Sequence, residues 1–207
     1  MTIYHDVTLT LEEDMVTYPG DPKFYSQKYC SIEKDGYNLR KLTMGSHSGT
    51  HIDAPKHYFS QGNTVDNIPM SKLIGKCKVF YIEESMIDYD TVKDLPISKG
   101  DKIIFKTCNS SYWKDKIFHS DFVALTQEAA RFLCEKDIDL VGIDYVSIEG
   151  FYSEDATVHK LFLSKDIPIL EGLDLSSIDE GTYHIIIMPL KIKDGDGAPA
   201  RVVIVEK

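Results

Sequence analysis

The stretch MGSHSGTHIDAPKHY, residues 44–58, contains three of the seven histidines of the chain and an aspartate beside them. His47, His51, Asp53 and His57 are separated here mainly by small residues and a proline. Neutral imidazole and carboxylate groups bind zinc and similar divalent metals at about 2.0 to 2.2 Å. On a regular strand, however, His47 and His51 would lie roughly 13 Å apart and could not share an ion. The chain must therefore bend within this stretch if it forms a metal site.

The residues between the histidines permit such a bend. Gly49 allows a sharp turn after His47, and Pro55 biases the residue before it toward an extended conformation. His51 and Asp53 are two positions apart, so they share one face of an extended segment. A turn followed by an extended segment would direct all three side chains to one point. Spacing alone leaves two interpretations open, a metal site and a polar loop with histidines by chance.

The composition is typical of an acidic globular protein. Of 207 residues, 43% are hydrophobic and 27% are charged, and the net charge of −10 argues against binding to nucleic acid or to an anionic membrane. The four cysteines form no CxxC pair, which favours reduced thiols over a disulfide framework. The first residues show no secretory signal, and the longest apolar run, residues 185–190, is too short to cross a bilayer. We therefore predict a cytoplasmic protein whose partner is a small molecule.

Short runs rich in β-branched and aromatic residues dominate the rest of the chain and are typical of strands. Strands are predicted over residues 3–11, 37–45, 76–84, 101–108, 138–146, 182–192 and 200–207. Helices are predicted over residues 126–136, 155–165 and, more briefly, 69–75. Because no repeat or linker divides the chain, we predict one domain, residues 1–207, of α/β (mixed α+β) class with a mostly β core.

Three further features allow more than one interpretation. Asp144 ends a predicted strand, and we favour a turn residue hydrogen-bonded to its own backbone over a functional carboxylate. Trp113, in a polar stretch, is interpreted as an anchor for a loop rather than as the wall of a pocket. The run DGDGAPARV, residues 194–202, lacks the spacing of an EF-hand and is interpreted as the connection to the last strand, which could border an active site.

The run HSGTHIDAPKH, residues 47–57, resembles the signature of the Putative cyclase family, His-x-Gly-Thr-His-x-Asp-x-x-x-His, and matches it at every fixed position. The order of other segments is similar too: PGD at residues 19–21, GID at residues 142–144, and a late His159 followed twelve positions later by Glu171. The family includes bacterial kynurenine formamidase and isatin hydrolase. The resemblance spans most of the chain and implies a swivelling β/β/α-like fold.

The resemblance also implies a metal-dependent hydrolase that binds two divalent ions per chain, Zn²⁺ or otherwise Mn²⁺. The implied ligands are His47, His51, Asp53, His159 and Glu171. Asp53 and Glu171 would bridge the ions, and His57 would be the catalytic acid and base. His159 by itself, on a predicted helix beside the apolar Val158, is interpreted as a capped or core histidine. Family members are often dimers or larger, so a homodimer or higher homo-oligomer is implied for this chain.

The implied reaction is hydrolysis of an amide or formamide C–N bond in a small, aromatic substrate, as in arylformamidases. Tyr18 occupies the position of a tryptophan that packs on the substrate in such formamidases, and it could stack on a ring or pack on the fold. Two alternatives remain: hydrolysis of a cyclic amide, imide or lactone, and a metal- or ligand-binding module without turnover. Structural zinc sites are closed and often thiolate-rich, and the cluster has no neighbouring cysteine, which favours an open catalytic site.

Overall fold

A computed structural model describes residues 1–206 of the chain, in which strands outnumber helices. The strands are β1 (Ile3–Asp6), β2 (Tyr25–Cys30), β3 (Leu39–Thr43), β4 (His51–Asp53), β5 (Ile74–Tyr81), β6 (Lys102–Lys106), β7 (Leu140–Ile143), β8 (Ile169–Glu171), β9 (Gly181–Pro189) and β10 (Gly197–Glu206). The α-helices are α1 (Ile32–Asp35), α2 (Met70–Leu73), α3 (Tyr89–Val92), α4 (Gln127–Glu135) and α5 (Thr157–Leu163). Short 3₁₀ helices cover Pro55–His57, Val65–Asn67 and Cys108–Lys114. The predicted mixed fold class with a mostly β core is confirmed.

Most of the strands form one large sheet that closes on itself. Its strand order is β1-β10-β4-β8-β7-β6-β5-β9, and β9 pairs in addition with β10. The long strand β10 makes this closure possible, because Gly197–Pro199 pair with β4 while Ala200–Val205 pair with β9. Neighbours from β5 to β8 are parallel, and β4 joins them antiparallel to β8. As a result β4 lies between β8 and β10 and has no free edge.

Apolar residues cover both faces of the central parallel strands. On β6, Ile103 and Phe105 belong to a core that includes Leu133 of α4 and Phe162 of α5. The residue between them, Ile104, points to the other face and into a second core enclosed by the sheet. Strands buried on both faces are expected to be continuously apolar, which is why these runs were recognisable in the sequence.

Several predicted boundaries are wrong in an informative way. The first strand ends at Asp6 instead of residue 11, and beyond it the β-pairing is reduced to an isolated bridge from Thr8 to Leu173. The helix predicted over 69–75 ends at Leu73 because β5 already begins at Ile74. Strand β2 was not predicted, since its sequence YSQKYC is polar and exposed and has no apolar alternation.

The interpretation of Asp144 as a turn residue bonded to its own backbone is wrong. Its buried carboxylate accepts hydrogen bonds from the backbone and hydroxyl of Thr107, both at 2.8 Å. It also accepts them from the backbone and hydroxyl of Ser110, at 3.1 and 2.7 Å. Burial raises the pKa of Asp144 to about 6, although these four donors oppose the rise. Asp144 therefore joins the end of β7 to the segment after β6.

Trp113 anchors that same segment. Its indole Nε1 donates to the carbonyl of Leu173 at 2.9 Å, and its ring stacks on Tyr145 with 5.1 Å between centroids. These contacts agree with the interpretation of Trp113 as a loop anchor.

Candidate metal centre and active site

Strand β4 carries two of the candidate ligands on one face. His51 lies directly opposite Glu171 of β8 in the antiparallel register, so the two side chains point to the same side of the sheet. Asp53 is two residues farther along β4 and shares that face. His51, Asp53 and Glu171 are all buried. Strand pairing therefore places an imidazole and two carboxylates together.

His47 reaches the same point through the turn that precedes β4. Gly49 within this turn has φ of +63°, a conformation that L-residues with side chains rarely adopt. The His47 ring then lies over Gly197 of β10, which is opposite Asp53 in the sheet. A Cβ atom at position 197 would come within 2.8 Å of His47 Cε1, so only glycine leaves room for the ring. His47 Nδ1 consequently approaches Asp53 Oδ1 to 2.6 Å.

The donor atoms form two groups that share Asp53. The first consists of His47, His51 and Asp53, and the second of Asp53, His159 and Glu171; within each group the donor atoms lie within 4.8 Å of one another. Glu171 is near both groups, since its carboxylate oxygens lie 3.2 Å from His51 Nε2 and 3.4 Å from His159 Nε2. The structure thus brings all five candidate ligands together at one place.

One oxygen of Asp53 indicates that a cation belongs here. Oδ2 is buried and accepts no hydrogen bond from any group within residues 1–206. His159 Nε2 is the nearby imidazole nitrogen, but at 4.0 Å it is too distant to donate. An unsatisfied buried carboxylate oxygen is energetically costly, and a divalent ion would remove that cost. Imidazole and carboxylate donors suit zinc, manganese or iron(II), so these residues fit such a centre.

The electrostatics of the cluster lead to the same conclusion. Burial opposes the charged form of His159, but hydrogen bonds to Glu149 and Glu171 outweigh it and raise the pKa of His159 to about 10. Burial likewise opposes the charge of His47, and Asp53 and Asp196 raise its pKa to about 10. The carboxylates thus stabilise positive charge on the imidazoles. A divalent cation bound to the same atoms would supply that charge instead of the protons.

Glu149 is a buried carboxylate that the sequence analysis did not identify. Its Oε2 lies 2.8 Å from His159 Nδ1, which leaves Nε2 of that ring directed at Asp53 and Glu171. Ser153 donates to its other oxygen. The hydrogen bonds from His159 and Ser153 lower the pKa of Glu149 to about 2 although burial opposes this. Such a carboxylate behind a histidine fixes the orientation of the ring.

Asp196 contacts the ring of His47 on the other side of the cluster, much as Glu149 contacts the ring of His159. It lies in the loop before β10, the DGDG segment that the sequence indicated as a possible border of an active site. Its Oδ2 is 3.0 Å from His47 Nε2 and 3.9 Å from His57 Nδ1. His47, His57 and Asp196 also form a third group of potential metal donors. Asp196 is more exposed than the other carboxylates, with 44% of its side chain accessible.

His57 lies at the edge of the cluster, toward the solvent. The 3₁₀ helix Pro55–His57 turns its ring over His47, with 4.0 Å between the ring centroids. Burial, together with the neighbouring charge of His47, lowers the pKa of His57 despite the attraction of Asp53. Its imidazole is therefore the one in this cluster that the surroundings keep neutral and able to accept a proton.

A pocket of about 290 Å³ opens onto these residues. Its wall contains six of the seven candidate site residues, together with Tyr58 and the newly identified Glu149; the six are Tyr18, His47, His51, His57, His159 and Glu171. Tyr18 also packs edge-on against Phe118 and at a tilt against Phe151, at 5.9 and 5.8 Å between centroids. Tyr18 therefore both borders the pocket and packs on the fold.

Residues 5–150 match the Putative cyclase family. A relative over nearly the whole length is a kynurenine formamidase from Erythrobacter litoralis (strain HTCC2594), 32% identical over 203 residues that cover 97% of this chain and 93% of that protein. The chain belongs to the Putative cyclase family. Its fold is also that of a potential metal-dependent hydrolase with cyclase activity, with a TM-score of 0.88, 35% identity and coverage of 100% of this chain and 99% of the other.

The similarity of fold extends to a more distant structure. Isatin hydrolase A from Ralstonia solanacearum has a TM-score of 0.85 over 100% of this chain and 92% of its own, at 22% identity. At that identity the match concerns the fold. The family identified from residues 47–57 is confirmed, and with it the prediction of a metal-dependent hydrolase.

The shared position of Asp53 predicts unequal effects of two substitutions on bound metal. Asp53→Asn removes a ligand common to both donor groups, so we expect it to lose most of the metal, whereas His159→Asn removes a ligand of one group alone and should retain about half. Elemental analysis of the purified variants measures this difference. Asp6→Asn, at an exposed carboxylate on β1, is the control and should keep the wild-type content. Full metal content in Asp53→Asn would contradict its assignment.

The hydrogen bond from Glu149 to His159 predicts an indirect effect on metal affinity. Glu149→Gln weakens the partner that orients the ring, and we expect metal affinity to fall about 10- to 100-fold. Competition with a chelator of known affinity measures the change. The matched control is Glu154→Gln, an exposed glutamate that lines the same pocket, and its affinity should stay unchanged. Equal affinities of the two variants would show that Glu149 does not orient His159.

Proposed function

We propose that this chain hydrolyses the C–N bond of a formamide or related amide in a small aromatic substrate, in the manner of an arylformamidase. The observation that supports this most is the sharing of Asp53 between two donor groups at the base of a pocket that His57 also lines. An open site with histidine and carboxylate donors is typical of a catalytic centre, since structural zinc sites are closed and often contain thiolates.

The proposal includes two divalent ions per chain, with Zn²⁺ first and Mn²⁺ second. His47, His51 and Asp53 would hold one, and Asp53, His159 and Glu171 the other. When bound, such ions polarise a carbonyl oxygen and lower the pKa of a coordinated water toward about 7. Glu149 and Asp196 would orient the rings of His159 and His47 through their second nitrogens.

His57 is proposed as the acid and base. Its lowered pKa keeps the imidazole neutral at physiological pH, so it can accept a proton from the attacking water. The same ring can then deliver that proton to the departing nitrogen, which leaves as a neutral amine. Asp196, whose Oδ2 lies 3.9 Å from His57 Nδ1, is near enough to stabilise the imidazole by its charge while the ring holds the proton.

The substrate is proposed from the size and lining of the pocket and from the relatives. A volume of about 290 Å³ suits a small molecule, and Tyr18 and Tyr58 offer aromatic surfaces beside the histidines. Tyr18 is held by Phe118 and Phe151, so its ring presents a fixed surface on which an aromatic substrate can pack. The relative from Erythrobacter litoralis is a kynurenine formamidase, which makes N-formylkynurenine the first substrate to test.

The cellular setting is also part of the proposal. We infer a cytoplasmic enzyme that forms a homodimer or a larger homo-oligomer. The four cysteines, all within the described residues, are free thiols, which suits a reducing compartment. None of the helices within residues 1–206 combines the length and the apolar character needed to cross a membrane.

The proposed role of His57 predicts a loss of turnover without a loss of metal. His57→Asn removes the proton acceptor but leaves the five ligands, and we expect kcat to fall about 10²- to 10⁴-fold with unchanged metal content. Steady-state kinetics measure kcat, and elemental analysis of the same sample measures the metal content. His184→Asn on β9 serves as the control. An unaltered kcat in His57→Asn would exclude the role, and loss of metal would make His57 a ligand.

The proposed reaction predicts hydrolysis of N-formylkynurenine that depends on metal. We expect a chelator to abolish turnover and one added metal, Zn²⁺ or Mn²⁺, to restore it, because the five ligands act only with a cation in place. Release of formate measures the reaction. Isatin and related cyclic amides and lactones are assayed in parallel with N-formylkynurenine. Turnover of these cyclic compounds alone would make the chain a hydrolase of cyclic amides, imides or lactones. If the metal-loaded protein hydrolyses none of these compounds, the proposal is contradicted and a metal- or ligand-binding module without turnover is favoured.

A further inference from the structure

The pair formed by His57 and Asp196 lies on the solvent side of the cluster, outside the two donor groups that share Asp53. Its closest atoms, His57 Nδ1 and Asp196 Oδ2, are 3.9 Å apart. This distance is too long for a hydrogen bond. It is the spacing expected of two ligands of one ion, since metal–ligand bonds of about 2.0 to 2.2 Å place the donor atoms roughly 3 to 4 Å apart. The two side chains are 28% and 44% accessible, so an ion from solution can reach them.

The backbone of one buried residue fixes both members of this pair. The N–H of Ala54 donates to the carbonyl of Asp196 at 2.9 Å, and the carbonyl of Ala54 accepts from the N–H of His57 at 2.9 Å. The residue before Asp196 is held as well, because the N–H of Val65 donates to the carbonyl of Gly195 at 2.9 Å. The pair is therefore built onto the end of β4, and an ion that binds it has little chain to order.

His47 orients Asp196 without being needed as a ligand of this pair. Its Nε2 lies 3.0 Å from Asp196 Oδ2, and its Nδ1 lies 2.6 Å from Asp53 Oδ1. With Nδ1 on an ion of the two-ion centre, Nε2 carries the proton and donates it to Asp196. Ser46 Oγ donates to the same oxygen at 3.2 Å. Asp196 is thus an oriented carboxylate, and such a group can accept these bonds and still bind a cation because its two oxygens offer several lone pairs.

We propose that His57 Nδ1 and Asp196 Oδ2 bind a third divalent cation of the zinc class, and that this ion inhibits the enzyme when the metal is in excess. The site is separate from the two-ion centre because it contains neither Asp53 nor Glu171. An imidazole nitrogen and a carboxylate oxygen suit Zn²⁺, whereas Mg²⁺ and Ca²⁺ prefer sites made of oxygen atoms alone. The net charge of the chain, −10, also favours the approach of a cation.

The number and burial of the ligands determine the order in which ions bind. Each donor group of the two-ion centre offers three side chains, most of them buried, whereas the pair offers two side chains that are partly exposed. An ion with fewer protein ligands and more water around it is bound more weakly. Two equivalents of Zn²⁺ should therefore fill the two-ion centre alone, and the third ion should bind only as the free concentration rises further.

Inhibition follows from the chemistry of the imidazole, and this part of the inference rests on the proposed function. A neutral imidazole has one proton and one lone pair on its two nitrogens. When His57 Nδ1 binds an ion, the lone pair is used and the proton stays on Nε2. The ring then cannot accept a second proton from the attacking water until the ion dissociates. Binding of the ion itself does not depend on any hydrolytic activity.

Equilibrium dialysis of the full chain against increasing Zn²⁺, followed by elemental analysis, tests the site. The wild type should bind two ions first and a third at higher free Zn²⁺. Loss of a group that only orients a ligand costs ~10- to 100-fold in metal affinity, so loss of a direct ligand in His57→Asn should weaken the third ion at least ~10-fold. The first two ions should remain, which also shows that the variant has folded.

The matched control is His5→Asn. It removes a surface histidine that also faces a carboxylate, since His5 Nε2 lies 3.0 Å from Glu206 Oε2, and all three ions should remain. A wild type that binds only two ions up to millimolar Zn²⁺ would overturn the proposal. So would a third ion that binds His57→Asn as tightly as it binds the wild type. Loss of the first two ions from His57→Asn would place His57 in the two-ion centre and would also overturn it.

Inhibition of turnover provides a second readout, in a variant that keeps His57. Each sample is loaded with two equivalents of Zn²⁺, and its hydrolysis of N-formylkynurenine is followed as more metal is added. The wild type should lose activity with excess Zn²⁺ but not with Mg²⁺. The Zn²⁺ concentration that halves the residual activity should be at least ~10-fold higher in Asp196→Asn and unchanged in His5→Asn.

The two readouts separate the site from the proposed reaction. Equal sensitivity of the wild type and Asp196→Asn to excess Zn²⁺ would overturn the inhibitory role. If the loaded wild type hydrolyses no formamide, the proposed function fails, and dialysis of the wild type and His57→Asn still decides whether the third ion binds.

Discussion

The buried carboxylate of Asp53 is the group on which the whole site depends. Transferring a carboxylate from water to a protein interior costs several kcal/mol unless opposite charge surrounds it. Here imidazoles of His47, His51 and His159 surround it, and one of its oxygens has no donor within residues 1–206. The carboxylate therefore requires positive charge from two sides. That requirement explains why two donor groups converge on a single residue.

The closed sheet provides the rigidity that this arrangement requires. Asp53 lies on β4, which is paired along both edges, with β8 on one side and β10 on the other. Glu171 and Gly197 are more than a hundred residues away in the chain, yet strand register places them beside His51 and Asp53. The backbone of the site is thus held by hydrogen bonds on both sides. Loops and short helices then add His47, His57 and His159.

Much of this architecture was recognisable in the sequence, and the reasons differ between features. Residues 47–57 were recognisable because the family signature that they match is local, whereas their spacing alone left a metal site and a polar loop both open. The buried strands β6 and β7 were recognisable because both of their faces are apolar. In contrast, β2 was missed because an exposed strand with a polar sequence has no burial pattern to detect.

Residues that act through other residues were harder to find. Glu149 and Asp196 touch His159 and His47 only in the folded chain, and a single acidic residue in a polar segment has no distinguishing signal. Asp144 was misassigned for a related reason, since its four hydrogen bonds go to a segment about 35 residues earlier in the chain. Local sequence predicts backbone conformation, whereas the partner of a buried carboxylate is determined by tertiary contacts.

The central claim is that Asp53 is shared by two ions, and anomalous diffraction at the absorption edge of the bound metal tests it most directly. Crystals of the metal-loaded protein should show two anomalous peaks, each about 2.0 to 2.2 Å from a different carboxylate oxygen of Asp53. A single peak, or peaks that do not contact Asp53, would contradict the account.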